Sequence, residues 1–169
     1  MINQVFFFYF SAVIVATSVM AITRRSVMHG VLYMLLLFFH IAGLYLFLNA
    51  EFISAVQIIV YAGAIMVLFL FVIMLLNLRD DIKKRQFIAT WPMGLLVSSG
   101  ILMIILMAML TIKTGTQGQW GIAQIERLTH TVAIGTVMYT QYLFPFEVAS
   151  LVLLVAIIGA MVLAKKRIK

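Results

Sequence analysis

The sequence predicts an all-α, polytopic membrane protein with five transmembrane helices. Of its 169 residues, 65% are hydrophobic and only 10% are charged, whereas about 25% of the residues in a soluble globular domain are charged. Five apolar stretches are each long enough to cross a hydrocarbon core of roughly 30 Å as a helix. These stretches, called here the first to fifth spans, cover residues 5–22, 27–48, 52–76, 91–112 and 146–164. We therefore expect a single membrane domain over residues 1–169.

The ends of the spans are indicated by charges and by proline. Arg24 and Arg25, the first positive charges of the chain, follow the first span. A cleaved signal peptide carries its positive charges before the apolar region, so the first span is expected to be retained. The third span is uncharged and reaches about 37 Å at about 1.5 Å per residue, so it must tilt or protrude. Pro145 suits the start of the fifth span.

The basic residues predict the orientation of the spans. The loops after the first and third spans and the C-terminal segment hold ten of the twelve basic residues, namely Arg24, Arg25, Arg79, Lys83, Lys84, Arg85, Lys165, Lys166, Arg167 and Lys169. The opposite side has only Lys113 and Arg127. The positive-inside rule then places the N-terminus outside and the C-terminus in the cytoplasm.

One long outer loop, residues 113–145, joins the fourth and fifth spans. Its first half contains the turn-rich stretch TGTQGQWG, and its second half contains the more apolar stretch VAIGTVMYTQYLF. We expect the first half to be irregular. The second half is expected to lie at the membrane interface as a short helix or to pair with a neighbour.

The composition excludes several classes of site. The absence of cysteine rules out disulfides, thiolate zinc sites and cysteine-bound iron–sulfur clusters on this chain. The net charge of +7 does not indicate nucleic-acid binding, because the basic residues form short clusters between apolar runs and no basic face. The sequence also lacks a phosphate-binding glycine loop and a nucleophile paired with a base. We expect no catalytic, cofactor-binding or metal-binding residue here, and any redox centre must lie on a partner.

His29 and His40 are spaced as haem ligands could be. They lie eleven residues apart in the second span, about 16 Å along one face of a helix. Haems held between helices need matching histidines on a second helix, and no other span contains one. The pattern favours histidines that hydrogen-bond to a neighbouring helix or lie near an interface.

The five acidic residues divide into two groups. Asp80, Asp81 and Glu126 lie in loops, where a solvated surface charge is the usual role. Glu51 comes just before the third span, and Glu147 falls in the predicted first turn of the fifth. A carboxylate there is stabilised by the helix dipole, but it could also exchange protons along a hydrated pathway. Because no span carries a charge at mid-depth, as pumps usually do, the chain is expected to be one component of a larger assembly.

The third span has a cluster of small residues at its centre. It reads QIIVYAGAIMVLFLFVIMLLN, with Tyr61, Ala62, Gly63 and Ala64 in the middle. Small residues let a neighbouring backbone approach closely. Glycine among bulky residues also makes a weak point that can hold a π-bulge, a feature common at functional sites. The residues alone leave close packing and a π-bulge both open.

Two long stretches carry a resemblance to a known family. They are AVQIIVYAGAIMVLFLFVIMLLN in the third span and YLFPFEVASLVLLVAIIGAMVLAKK at the fifth, and HGVLYMLLLFFHIAGLYLFLNAEF matches more loosely. The chain resembles the subunit J family of bacterial NADH:quinone oxidoreductase, the counterpart of mitochondrial NADH dehydrogenase subunit 6. The resemblance covers most of the chain except the fourth span and the outer loop.

The resemblance implies a core membrane-arm subunit of respiratory complex I in the bacterial inner membrane. It implies five helices with the N-terminus outside, in agreement with the orientation expected from charge. The implied partners are the small three-helix subunit, the quinone-site subunit, the antiporter-like subunits and the lipid bilayer, and nucleic acid is not among them. FMN, iron–sulfur clusters and quinone would belong to partner subunits, and this chain would hold no cofactor.

The resemblance also implies a gate in the third span. In that family a π-bulge converts to regular α-helix, rotates the following half of the helix, and opens or closes a hydrated route for protons. Carried over to this sequence, the hinge centres on Tyr61, Ala62 and Gly63, with Val67 and Phe69 on the rotating part.

Gln57 departs from the pattern of the family. Some members have glutamate at this position, so a titrating group is not carried over to it. Glu51 and Glu147 remain the nearby carboxylates that could lie on a proton path. We expect this chain to couple quinone reduction to proton movement by gating, while neighbouring subunits supply the buried lysines and glutamates.

Two other functions stay open from the sequence. The chain could be an accessory subunit of a multi-subunit cation/proton antiporter, since part of that family resembles subunit J. It could also be a purely structural assembly subunit, in which case substitutions in the third span would act only through assembly.

Overall fold

The computed structural model describes residues 2–76, 91–111, 125 and 127–165, and this described part is helical with no strand. In chain order its elements are α1 (Ile2–Thr23), α2 (Val27–Phe47), α3 (Glu51–Val56), a π-helical segment (Gln57–Ile65), α4 (Met66–Leu75), α5 (Trp91–Thr111), α6 (His130–Thr140) and α7 (Leu143–Ala164).

Among the described residues, five continuous helices are long and apolar enough to cross a membrane, which confirms the predicted all-α fold with five spans. Their bounds are Gln4–Thr23, Val27–Phe47, Glu51–Leu75, Trp91–Thr111 and Leu143–Ala164. The third of them consists of α3, the π-helical segment and α4 in direct succession. Helices form because the hydrocarbon core offers no partner to backbone polar groups, so each span must satisfy them within itself.

The fifth span begins three residues earlier than expected, and this changes the position of Glu147. α7 starts at Leu143, so Pro145 is its third residue; the first N–H groups of a helix have no intrahelical partner, and proline is therefore tolerated there. Glu147 becomes the fifth residue, and no acidic residue lies in the first turn. The expectation that Glu147 lies in the first turn was wrong.

The second half of the outer loop contains the short helix α6, as the apolar pattern predicts. The turn-rich half lies outside the described residues. So do Asp80, Asp81 and Glu126, together with eight of the twelve basic residues, namely Arg79, Lys83, Lys84, Arg85, Lys113, Lys166, Arg167 and Lys169.

The chain divides into two compact units, residues 1–116 and residues 117–169. In the second unit α6 and α7 form a helical hairpin, with the rings of Tyr139 and Phe146 packed edge to face at 5.2 Å. The expected single membrane domain stays a prediction.

In the first unit α1 and α2 form an antiparallel hairpin whose helices approach each other closely at two glycines. A Cβ atom on Gly30 would lie 2.8 Å from the backbone oxygen of Ala21, and one on Gly43 would lie 2.7 Å from Cε1 of Phe10. Both distances are too short for a real contact. Glycine at these positions therefore sets the helix separation, as small residues do in membrane proteins.

The turn from α2 into α3 has a well-defined helix-ending geometry. Asn49 adopts a left-handed conformation with a φ of 59°, which asparagine tolerates better than most residues. Its N–H donates to the carbonyl oxygen of Leu46, and the N–H of Ala50 donates to that of Tyr45. This pair of bonds is the Schellman motif, and it reverses the chain so that α3 packs against α2.

Replacing Gly30 with alanine is expected to destabilise the α1–α2 hairpin. The new Cβ would press on a backbone atom that cannot rotate away, and overpacking of this kind costs about 1–3 kcal/mol. The measurement is the temperature at which half of the purified, tagged protein in mild detergent loses its monodisperse gel-filtration peak.

Gly100→Ala in α5 is the matched control, because a Cβ atom added at Gly100 would have no neighbouring atom within 4 Å. Alanine there should be neutral or stabilising by up to about 1 kcal/mol through its better helix propensity. Equal midpoints for the two variants would show that the Gly30 contact does not hold the hairpin together.

Candidate functional site: a π-helical segment in the third span

The π-helical segment interrupts the third span between α3 and α4. It covers nine residues, Gln57–Ile65, and at its end the N–H of Met66 donates to the carbonyl oxygen of Tyr61, five residues earlier. An α-helix would use the oxygen four residues earlier. π-Helical turns are rare and are frequently found at functional sites.

Gly63 explains in part why the segment takes this form. A Cβ atom at Gly63 would lie 3.2 Å from the carbonyl oxygen of Ile58, closer than most real Cβ contacts. Ile58 is five residues before Gly63, the spacing of a π-type hydrogen bond. The missing side chain therefore leaves room for the carbonyl that the wider turn brings to this point.

The spacing of the buried residues in the third span changes at the π-helical segment. Ser54, Gln57, Ala62 and Met66 are each at most 7% exposed. They are spaced by three, five and four residues, and the five-residue step spans the π-helical segment. An α-helix repeats a face every three or four residues, so the wider turn is what keeps these four side chains on one buried face.

A hydrogen bond joins this buried face to α2. The hydroxyl of Ser54 donates to the carbonyl oxygen of Ala42 at 2.8 Å, and both residues are buried. Gln57 brings the polar amide of its side chain to the same face, one turn further along. The sequence pattern did not predict the Ser54 contact, although a serine hydroxyl in an apolar span is a signal for an interhelical hydrogen bond.

The five predicted hinge residues divide between the buried face and the exposed face. Ala62 is buried, whereas Tyr61, Gly63, Val67 and Phe69 are exposed. The Tyr61 ring packs edge to face against Phe38 of α2 with the centroids 6.0 Å apart, and 46% of Tyr61 is exposed. Tyr61, Ala62 and Gly63 lie in the π-helical segment, and Val67 and Phe69 follow it on α4. Their role in gating stays a prediction.

The two candidate proton-path carboxylates lie in different units. Glu51 is exposed in the first turn of α3, where the helix dipole stabilises its charge. Glu147 is exposed in α7 of the second unit, beyond the first turn. The helix dipole therefore stabilises the charge of Glu51 more than the charge of Glu147.

The two histidines of α2 have different surroundings. Nδ1 of His40 lies 2.8 Å from the carbonyl oxygen of Leu36, so the tautomer with a proton on Nδ1 donates a hydrogen bond within its own helix. The ring of His40 lies beside Tyr9 and Phe10 of α1, at 6.3 and 6.2 Å. His29 is exposed near the start of α2. Within the described residues, no three His, Cys, Asp or Glu side chains group as metal ligands.

Comparisons with known proteins agree with the resemblance seen in the third and fifth spans. The family described as NADH-ubiquinone/plastoquinone oxidoreductase chain 6 matches residues 17–163. NADH-quinone oxidoreductase subunit J of Rhodobacter capsulatus is 36% identical, over 93% of this chain and 79% of the relative. NADH-ubiquinone oxidoreductase chain 6 of Chondrus crispus is 38% identical, over 95% of this chain and 82% of the relative. With a match over most of its length, including the whole π-helical segment, the chain belongs to the NADH-ubiquinone/plastoquinone oxidoreductase chain 6 family.

Proposed function

We propose that this chain is a membrane-arm subunit of a proton-translocating NADH:quinone oxidoreductase, respiratory complex I, in a bacterial inner membrane. Its family and the names of its relatives support this role. The chain couples quinone reduction to proton translocation through a change of helix type in the third span. The π-helical segment Gln57–Ile65 is the observation that carries this part of the proposal.

The mechanism follows from the register of the third span. Conversion of the π turn to α would shift every later residue by one position, a rotation of about 100° around the helix axis. Four residues after Gln57, Tyr61 would then replace Ala62 on the buried face, and Ile65 would replace Met66. A large aromatic ring would then replace a small methyl group on the buried face, which can open or close a route for water.

The Phe38–Tyr61 contact provides a check on this rotation. Tyr61 packs against Phe38 in the present arrangement, and a shift of about 100° would break this pair of rings. Aromatic pairs contribute roughly 0.5–1.5 kcal/mol beyond the area they bury. This energy is small enough for a membrane-arm rearrangement to overcome and large enough to bias the resting state towards the π form.

The chain itself performs no redox chemistry in this proposal. Without cysteine it cannot bind an iron–sulfur cluster through thiolates. We propose that the clusters, FMN and quinone all belong to partner subunits. No residue of α5 or α7 is buried in the described part of the chain. Lipid and the three-helix, quinone-site and antiporter-like subunits are the proposed surroundings of these helices.

We propose that the N-terminus lies outside and the C-terminus in the cytoplasm, which the excess of basic residues on one side supports. Because the chain has no cysteine, a single introduced cysteine reports its own side. A membrane-impermeant maleimide should label Gln141→Cys in intact cells and Lys165→Cys only after the membrane is opened. The opposite labelling pattern would reverse the topology.

Glu147 is the stronger proposed proton-path carboxylate, since the helix dipole does not account for it. Glu147→Gln should then lower the number of protons translocated per NADH oxidised, whereas Glu51→Gln should lower stability alone, by roughly 0.3–1 kcal/mol. Proton uptake into inverted vesicles, measured against NADH oxidation, separates the two carboxylates. Unchanged coupling in both variants would limit these residues to structural roles.

Purification of the tagged chain in mild detergent tests the proposed assignment to complex I. We expect the chain to co-purify with FMN, iron–sulfur clusters and NADH:quinone oxidoreductase activity. Flavin absorbance, the electron paramagnetic resonance signals of the clusters and quinone-dependent NADH oxidation are the measurements. Recovery with antiporter subunits and without redox centres would favour the accessory antiporter function instead.

Gly63→Val tests the proposed gate. The branched side chain would press on the Ile58 carbonyl, and overpacking of about 1–3 kcal/mol changes the ratio of π to α forms by roughly 5–150-fold. Proton translocation per NADH oxidised should fall in vesicles, while FMN, clusters and the rate of NADH oxidation by artificial acceptors stay at the native level.

Gly100→Val is the matched control, because it makes the same change in a span where the added Cβ contacts nothing. It should assemble and pump as the native complex does. If Gly63→Val also pumps normally in an assembled complex, the third span does not act as a gate. If both variants fail to assemble, Gly63→Ala is the milder replacement for the same measurement.

A further inference from the structure

A basic cleft lies at the turn between α1 and α2, away from the π-helical segment. It has a volume of about 440 Å³ and is lined by Thr23, Arg24, Arg25, Ser26, His29 and Tyr33. Both helices are membrane spans, and only three residues connect them. The cleft therefore opens where the two spans reach the membrane surface.

Arg24 contacts Tyr33 in this cleft in two ways. Its Nη2 donates a hydrogen bond to the hydroxyl of Tyr33 at 3.0 Å, and its Cζ lies 4.9 Å from the centre of the same ring. An arginine side chain carries five N–H donors, so most of them stay available for another acceptor. Pre-positioning of this kind lowers the entropy cost of binding an anion.

The positive charge of the cleft is not neutralised by the described residues. Arg24 and Arg25 are both exposed, and no described carboxylate forms an ion pair with either of them. Glu51, the described acid of the first unit, lies at the far end of α2, about 30 Å away along the helix at about 1.5 Å per residue.

The start of α2 contributes further donors to the same place. Ser26 caps this helix without a hydrogen bond from its side chain, and the first N–H groups of a helix have no intrahelical partner. A helix N-terminus of this kind favours phosphate groups. The close approach of Gly30 to the Ala21 carbonyl, one turn further along α2, holds the two helices together under the cleft.

We propose that this cleft binds the phosphate group of an anionic phospholipid of the surrounding membrane. Guanidinium groups bind phosphate oxygens through charge-assisted, bidentate hydrogen bonds. Basic pockets at the ends of transmembrane helices are suited to anionic lipid head groups, and the Tyr33 ring suits the boundary between head groups and chains. The lipid would fix the α1–α2 hairpin at the membrane surface.

Titration of the native complex with phosphatidylglycerol tests this proposal. The complex with the tagged chain is washed in detergent to remove exchangeable lipid and titrated, and the bound lipid is counted by mass spectrometry. Arg25→Gln should weaken the tightest site about fivefold, and Arg24→Gln/Arg25→Gln roughly 25-fold, since each basic residue near the surface contributes about that factor. Tyr33→Phe should have a smaller effect, because Arg24 loses its hydroxyl partner but keeps the ring.

Arg127→Gln is the matched control, since it removes the same charge from an exposed residue outside the cleft. It should leave the tightest site unchanged, and zwitterionic phosphatidylcholine should bind more weakly than phosphatidylglycerol. Undiminished binding in the double variant would overturn the proposal, as would an equal loss in Arg127→Gln. Displacement of the lipid by inorganic phosphate alone would assign the cleft to a free anion and also overturn it. Arg25→Gln, which leaves the Arg24–Tyr33 pair intact, gives a usable result if the double variant does not assemble.

Discussion

The structure depends on one constraint: inside a hydrocarbon layer, every backbone N–H and carbonyl must find its partner within the protein. A bend or a loop at mid-span would expose polar groups to lipid. The π-helical segment avoids this cost, because its hydrogen bonds are displaced by one residue and not broken. The third span can therefore depart from regular geometry at its centre and still be a continuous membrane helix.

The same constraint explains which residues hold the first unit together. Water is not available to drive apolar faces together within the membrane, so helices associate through close packing and a few polar contacts. Gly30 and Gly43 bring α1 against α2, and Ser54 ties α3 to α2 through the Ala42 carbonyl. α1 and α3 therefore both pack against α2. Within the described chain no residue of α5 or α7 is buried, although Phe146 of α7 packs against Tyr139 of α6.

The sequence predicted the number and the approximate bounds of the spans because hydropathy sums over some 20 residues and tolerates small errors at the ends. It did not locate the start of α7 at Leu143, because proline is acceptable at several positions of a first turn. The cluster at Tyr61 to Ala64 indicated a weak point. The cluster did not distinguish close packing from a π turn, because small residues among bulky apolar ones are typical of both.

Contacts between individual side chains could not be predicted from the sequence for a different reason. The contact of Arg24 with Tyr33 joins residues nine positions apart across a turn, and it depends on how closely Gly30 lets the helices approach. The Schellman motif at Asn49 likewise depends on where α2 stops. Such features follow from the geometry of two helices together, which periodicity in a single helix does not encode.

The five-residue step between Gln57 and Ala62 has a consequence for chain length. A chain shorter by one residue within the π-helical segment would carry its buried side chains at steps of three, four and four, the pattern of an uninterrupted α-helix. Packing against α2 alone would be satisfied by that shorter chain. The additional residue is therefore not needed for packing against α2. In the proposed gate it is the residue that would allow one sequence two helical registers, each with different buried side chains.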